Sequence, residues 1–144
     1  MNKMILTFLF AAVAAFGQAD NAKQGGNKQA SHVKILARAE LDELLAKPEQ
    51  ILIVDVRRPD EISKNGGFRV YLNVQIDDLE KSLAWIPKDR RLVVVSNHAH
   101  RGERAAEMLT QAGFKVAGAA GAQLYESEGG KLTKIVAPPP NAKK

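Results

Sequence analysis

The segment Val93-Val94-Val95-Ser96-Asn97-His98-Ala99-His100-Arg101-Gly102 decides the architecture of this 144-residue chain. With Leu92, its three valines form an apolar β-branched run of the kind that is covered on both faces of a sheet. The run stops at a short polar stretch. Beyond it Ala105, Met108, Leu109 and Ala112 recur at i, i+3, i+4 and i+7, the spacing of one apolar helix face. A strand passing through a short loop into a helix aims successive backbone N–H groups and the positive helix end at one point, which suits an anion. Arg101, at the helix entrance, adds five fixed donors matched to an oxyanion. The candidate anion-binding residues are Ser96, Asn97, His98, Ala99, His100, Arg101 and Gly102.

Working outward, Val33-Lys34-Ile35-Leu36 reads as a first strand. A helix is expected from Ala39 to Ala46, with Leu41, Leu44 and Leu45 on one face and Pro48 ending it. Ile51-Leu52-Ile53-Val54 is a second continuous apolar run of strand length. Leu79, Leu83 and Ile86 predict another helix, stopped by Pro87. Gly113 terminates the helix that follows the polar loop, and Phe114-Lys115-Val116 begins the next strand. Apolar strands alternating with amphipathic helices predict an α/β domain with a mostly parallel sheet.

Several of these segments resemble the rhodanese-like (thiosulfate sulfurtransferase homology) family. Its active-site loop reads Cys-x-x-Gly-x-Arg after a buried strand, where this chain has Ser96-Asn97-His98-Ala99-His100-Arg101. Asp55-Val56-Arg57-Arg58-Pro59-Asp60-Glu61 is similar to the family's Asp-Val-Arg-x-Pro-x-Glu. Leu109-Thr110-Gln111-Ala112-Gly113-Phe114 is similar to its Leu-x-x-Ala-Gly-Phe turn. Departures are equally plain. Where the family usually reads Gly-His-Ile-x-Gly-Ala-x-Asn, this chain keeps Gly66, an apolar Phe68 and Asn73, and a later Gly-Gly pair has become Gly121-Ala122. The resemblance spans Val33 to Ile135 and implies a three-layer α/β fold around a mostly parallel sheet of about five strands.

The cysteine count gives the resemblance its chemical content. The chain has no cysteine at all. The family's transferred sulfur rides as a persulfide on a thiolate, which such a loop can generate from a thiol of pKa about 8.5. A serine alcohol stays protonated and forms no persulfide. The expectation is a domain without sulfurtransferase activity, acting as an oxyanion-binding or protein-interaction module.

An alternative is a hydrolase-type enzyme with Ser96 as nucleophile and a loop histidine as base, which requires an imidazole within hydrogen-bond reach. Residues two and four apart in a tight loop tend to face away from one another, so a small hydroxyl filling the cysteine's space is the simpler reading. His98 and His100 also invite a metal, but two ligands do not make a site, His32 sits in the linker region, and no Asp/Glu/His cluster at ligand spacing supports one. No cofactor is expected. Arg101 has a structural alternative to anion binding: satisfying loop carbonyls or pairing with Asp55 or Glu103. An alanine at Ala99 strains the loop if that position needs φ > 0, at about 1–2 kcal/mol. By resemblance, Asp55, Arg57 and Glu61 brace the strand ends, with Asp55 and Arg57 supporting the pocket. Trp85 reads as core or rim packing.

The chain ends set location and partners. Lys3, an apolar run from Met4 to Phe16, and the small residues Gly17 and Ala19 read as a signal peptide over 1–19. Its apolar run is short for a membrane-spanning helix, an uncleaved anchor being the alternative. Export to the periplasm, or secretion, is expected, with no membrane association after cleavage. Residues 20–31 read as a flexible linker, 32–136 as the folded domain and 137–144 as a Pro/Lys tail. The net charge is +5, a mild surplus carried partly by the tails. No Lys/Arg stripe interleaved with aromatics is present, so nucleic acid is not an expected partner. A small oxyanion or a protein is.

Overall fold

The two apolar runs lie side by side at the centre of a parallel sheet in the computed structural model, which describes residues 33–134. Strand β1 is Ile51–Asp55, β2 Leu72–Asn73, β3 Arg91–Ser96 and β4 Val116–Gly121, in the spatial order β2-β1-β3-β4. The helices are α1 (Arg38–Leu45), α2 (Pro59–Asn65), α3 (Leu79–Ser82), α4 (His100–Gln111) and α5 (Ala122–Ser127). Each strand therefore returns to the sheet through a crossover, which a parallel sheet requires.

Period-2 alternation divides the buried runs between two cores. Leu92 and Val94 face one side with Val54, packing against Leu79 of α3 and Ala105 and Leu109 of α4. Val93 and Val95 face the other with Ile51 and Ile53, against Leu41 of α1 and Tyr125 of α5. All four β3 residues are fully buried. The sheet is thus the middle of three layers, and its strands are apolar on both faces because both are covered.

The first strand is reduced to a single bridge. Ile35 pairs in parallel with Ala119, through Leu36 N–H to the Ala119 carbonyl at 2.8 Å and Ala119 N–H to the Lys34 carbonyl at 2.9 Å. This fifth, bridge-length member lies outside β4, so the expected five strands become four plus one contact. Close approach explains the Gly118 beneath it: a Cβ there would stand 2.7 Å from the Lys34 carbonyl oxygen.

Other boundaries shift locally. The helix expected at 79–86 is broken into a 3-10 turn at Ile76–Asp78, α3, and a second 3-10 turn at Leu83–Trp85. Ile86 is extended, with ψ 124°, because Pro87 pushes the preceding residue out of the helical region. That change of direction buries Ile86 and turns Trp85 outward, 83% exposed, so Trp85 is neither core nor rim packing. Helix α4 ends at Gly113, whose φ of +83° is one that glycine adopts without strain. The segments 1–19, 20–31 and 137–144 lie outside the described residues. Among the described residues no helix is long and apolar enough to cross a membrane.

Candidate active-site-type loop

Asp55 and Val95 are register partners, so the loops leaving β1 and β3 start together at the carboxyl edge of the sheet. From there the chain turns to β2 on one side and β4 on the other. Such a divergence is the usual place for a ligand crevice in an open parallel sheet.

Ser96, the last residue of β3, is buried, and its Oγ accepts the Gly102 N–H at 3.1 Å. The glycine is required by proximity, since a Cβ there would lie 3.2 Å from the Val94 carbonyl oxygen and 3.4 Å from Ser96 Oγ. Helix α4 thus starts hard against the strand that feeds it. The turn between them is tight. Ala99 has φ 69° and ψ −41°, and His100 N–H donates to the His98 carbonyl at 3.0 Å across it. This is a γ-turn with positive φ, a strained form, and Ala99 is the one non-glycine residue with positive φ among the described residues. The position where the family keeps glycine does need it. The cost is about 1–3 kcal/mol, met by the surrounding packing, for Ala99 is fully buried.

A polar network clamps the loop to the β1 side. Arg57 and Asp55 form a wholly buried ion pair: Nη2 donates to Oδ2 at 2.7 Å and Nε to Oδ1 at 2.9 Å. Asn73 Nδ2 donates to the Asp55 and Arg57 carbonyls, each at 2.8 Å. Arg57 then reaches across, Nη1 donating to Asn97 Oδ1 at 3.2 Å, where Asn65 Nδ2 also donates at 3.3 Å. Asn97 Nδ2 and Arg101 Nη2 both donate to Glu61 Oε1 at 2.8 Å. The hydrogen bond from Arg101, followed by one from the Arg58 N–H, holds the Glu61 carboxyl below its ordinary range against the opposing effect of burial.

Arg101 therefore pairs with Glu61, not with Asp55 or Glu103. Asp55 is saturated by Arg57, and residues two apart on a helix, as Arg101 and Glu103 are, face different directions. Glu103 is instead 3.2 Å from His100 Nδ1. His98 and His100 are exposed, and among the described residues no imidazole hydrogen-bonds Ser96. The nucleophile–base pair of the hydrolase reading is not assembled. Nor is a group of three or more His, Cys, Asp or Glu side chains gathered for a metal among the described residues. Sequence reasoning placed Asn97 only among anion ligands and missed Asn65. Glu61, named from the sequence as a brace of the strand ends, sits at the third helical position of α2, its Oε2 accepting the Arg58 N–H at 2.9 Å.

The comparisons agree with this fold. The chain is 23% identical over 97 residues to "Putative sulfurtransferase YtwF" of Bacillus subtilis (strain 168), covering 67% of this chain and 93% of that protein. It superposes on a rhodanese-related protein from Thermoplasma volcanium with a TM-score of 0.63 at 24% identity, covering 71% of this chain and 99% of that one. Reduced CoADR-RHD of Bacillus anthracis matches at 29% identity and TM-score 0.59 over 66% of this chain, which is only 17% of that much longer one. The family model described as Rhodanese-like domain matches residues 37–130. With that span covered and the strand–loop–helix junction in place, the chain belongs to the rhodanese-like domain family.

Proposed function

We propose that this is an exported rhodanese-like domain without sulfurtransferase activity, which uses its rigid loop as a recognition surface for a partner. The observation that supports the reading is the buried serine hydroxyl at the strand end, in a chain with no cysteine. A protein partner is favoured over a free oxyanion because the loop already holds an anion: the Glu61 carboxylate takes Arg101 and Asn97. What it leaves to solvent are His98 and His100. A second reading, oxyanion binding, draws support from the half-buried Arg101 at the start of a twelve-residue helix. An incoming anion must compete with Glu61 for that guanidinium.

Two measurements test this. The mature protein mixed with thiosulfate and cyanide is expected to form thiocyanate no faster than the mixture alone; turnover would end the reading. Sulfate titrated against labelled protein is expected to leave the amides of residues 97–102 unmoved in the native chain and to shift them in Glu61→Gln. Tight sulfate binding to the native loop would instead establish the oxyanion reading.

A further inference from the structure

At the opposite edge of the sheet, a second site is built from different chemistry. A cleft of about 540 Å³ opens beside the start of β1, with the buried Ile51, Ile53 and Phe68 among its walls and the exposed Arg69, Arg90 and Lys131 around it. Its size falls within the range of small-molecule sites, roughly 300–1,000 Å³. Its end at Ile51, the register partner of Arg91, lies five residues of strand from Ser96, roughly 15 Å at the rise of a β-strand.

Three features define its occupant. The floor is apolar, and the polar end of the one tyrosine against it is already engaged: Tyr125 OH donates to Asp42 Oδ1 at 2.6 Å, leaving the ring, 5.3 Å from that of Phe68, facing other carbon. Every charged residue that lines the cleft is basic, with no Asp or Glu among the lining residues. The cations are also largely uncommitted. Arg69 and Lys131 have no ion-pair partner among the described residues, and Arg90 Nε makes only a long ion pair, 4.0 Å, with its sequence neighbour Asp89. Val70, 78% exposed beside Arg69, extends the apolar surface toward solvent. An apolar hollow with guanidinium and ammonium groups at its margin, Arg69 and Lys131 without an ion-pair partner among the described residues, favours a molecule with a hydrocarbon body and an anionic head.

We propose that this cleft binds an amphipathic monoanion, an aliphatic carboxylate of medium chain length, taking the chain against Ile51, Ile53 and Phe68 and the carboxylate at Arg69, Arg90 and Lys131. The inference is independent of what the loop does. Its test is a titration of the full mature chain with sodium decanoate below its micelle concentration, read by amide chemical shifts, with decylamine as a comparator of opposite charge. Shifts centred on residues 51–53, 68–70 and 131 are expected, with no saturable response to decylamine. The triple variant Arg69→Gln/Arg90→Gln/Lys131→Gln, whose changes are all at exposed positions, should weaken decanoate at least tenfold. Equal affinity for amine and carboxylate, an unchanged affinity in the triple variant, or shifts confined to 96–102 and lost in Arg101→Gln would each overturn it. So would co-sedimentation with phosphatidylglycerol vesicles without binding of monomeric decanoate, which would assign the same residues to a lipid surface.

Discussion

At residue 99 the backbone adopts a conformation that an L-residue resists, and the balance there is close. Glycine would relieve about 1–3 kcal/mol of strain, but would lose a buried methyl worth about 0.8 kcal/mol and gain about 0.4–1 kcal/mol of unfolded-state freedom. Ala99→Gly is therefore expected to change stability by between about −1 and +2 kcal/mol in urea unfolding, whereas Ala99→Val, β-branched at positive φ, should cost about 2–3 kcal/mol. Restoring the family's pattern with Ser96→Cys in the Ala99→Gly background is expected to produce slow but measurable thiocyanate formation, since a thiolate there would receive the Gly102 N–H. Glu61 makes a pH prediction. Its folded value is depressed, so the stability it contributes is fully present above its unfolded pKa of about 4.3 and is lost as pH falls through the folded value. The Arg101 side-chain resonances should therefore stay fixed through the ordinary glutamate range and revert to free-arginine shifts only as pH falls through the depressed folded value. That Arg101 would matter was legible in the sequence, but its partner lay forty positions away, a distance that local spacing does not bridge.

Elements were read best where burial on both faces made the pattern unambiguous. Ile51–Asp55 and Arg91–Ser96 were anticipated nearly to their ends, because a continuous apolar run of strand length, rich in β-branched residues, has few other places in a small domain. The helix over 79–86 was not, because its i, i+4, i+7 leucine and isoleucine spacing describes burial and not continuity, and Pro87 unwound the last turn. The edge segment at Lys34–Leu36 was overestimated for a related reason: its apolar residues fit a strand, but only one bridge forms beside β4. Gly118 is what permits that bridge. Gly118→Ala is expected to lower stability by about 1–3 kcal/mol by forcing the Lys34 carbonyl outward, a rigid overpacking. Hydrogen exchange would register it as loss of protection at Leu36 and Ala119 before any change at Val93–Val95.

Across the whole molecule, the Asp55–Arg57 pair ties the sheet edge to the loop, and both groups are wholly buried. Removing one partner leaves a charge without water or counter-ion, so Arg57→Ala is expected to cost about 3–5 kcal/mol in chemical unfolding, a large part of a stability that is about 5–15 kcal/mol for ordinary domains. Fold class and the strand–loop–helix junction could be seen in the sequence because they follow from periodicity. The clamp of Asn65, Asn97 and Glu61 could not, because it is made by side chains from separate elements meeting only once the sheet is assembled. The strand order carries a kinetic consequence of its own. With every neighbour parallel, no hairpin can form early, and the central pair must await a partner about forty residues downstream, from Ile51 to Arg91. Loop-closure entropy is thus spent before any ladder rewards it, so refolding after dilution from denaturant should be slow for so small a chain, in milliseconds to seconds. A nascent polypeptide would stay pliable until Arg91–Ser96 had emerged.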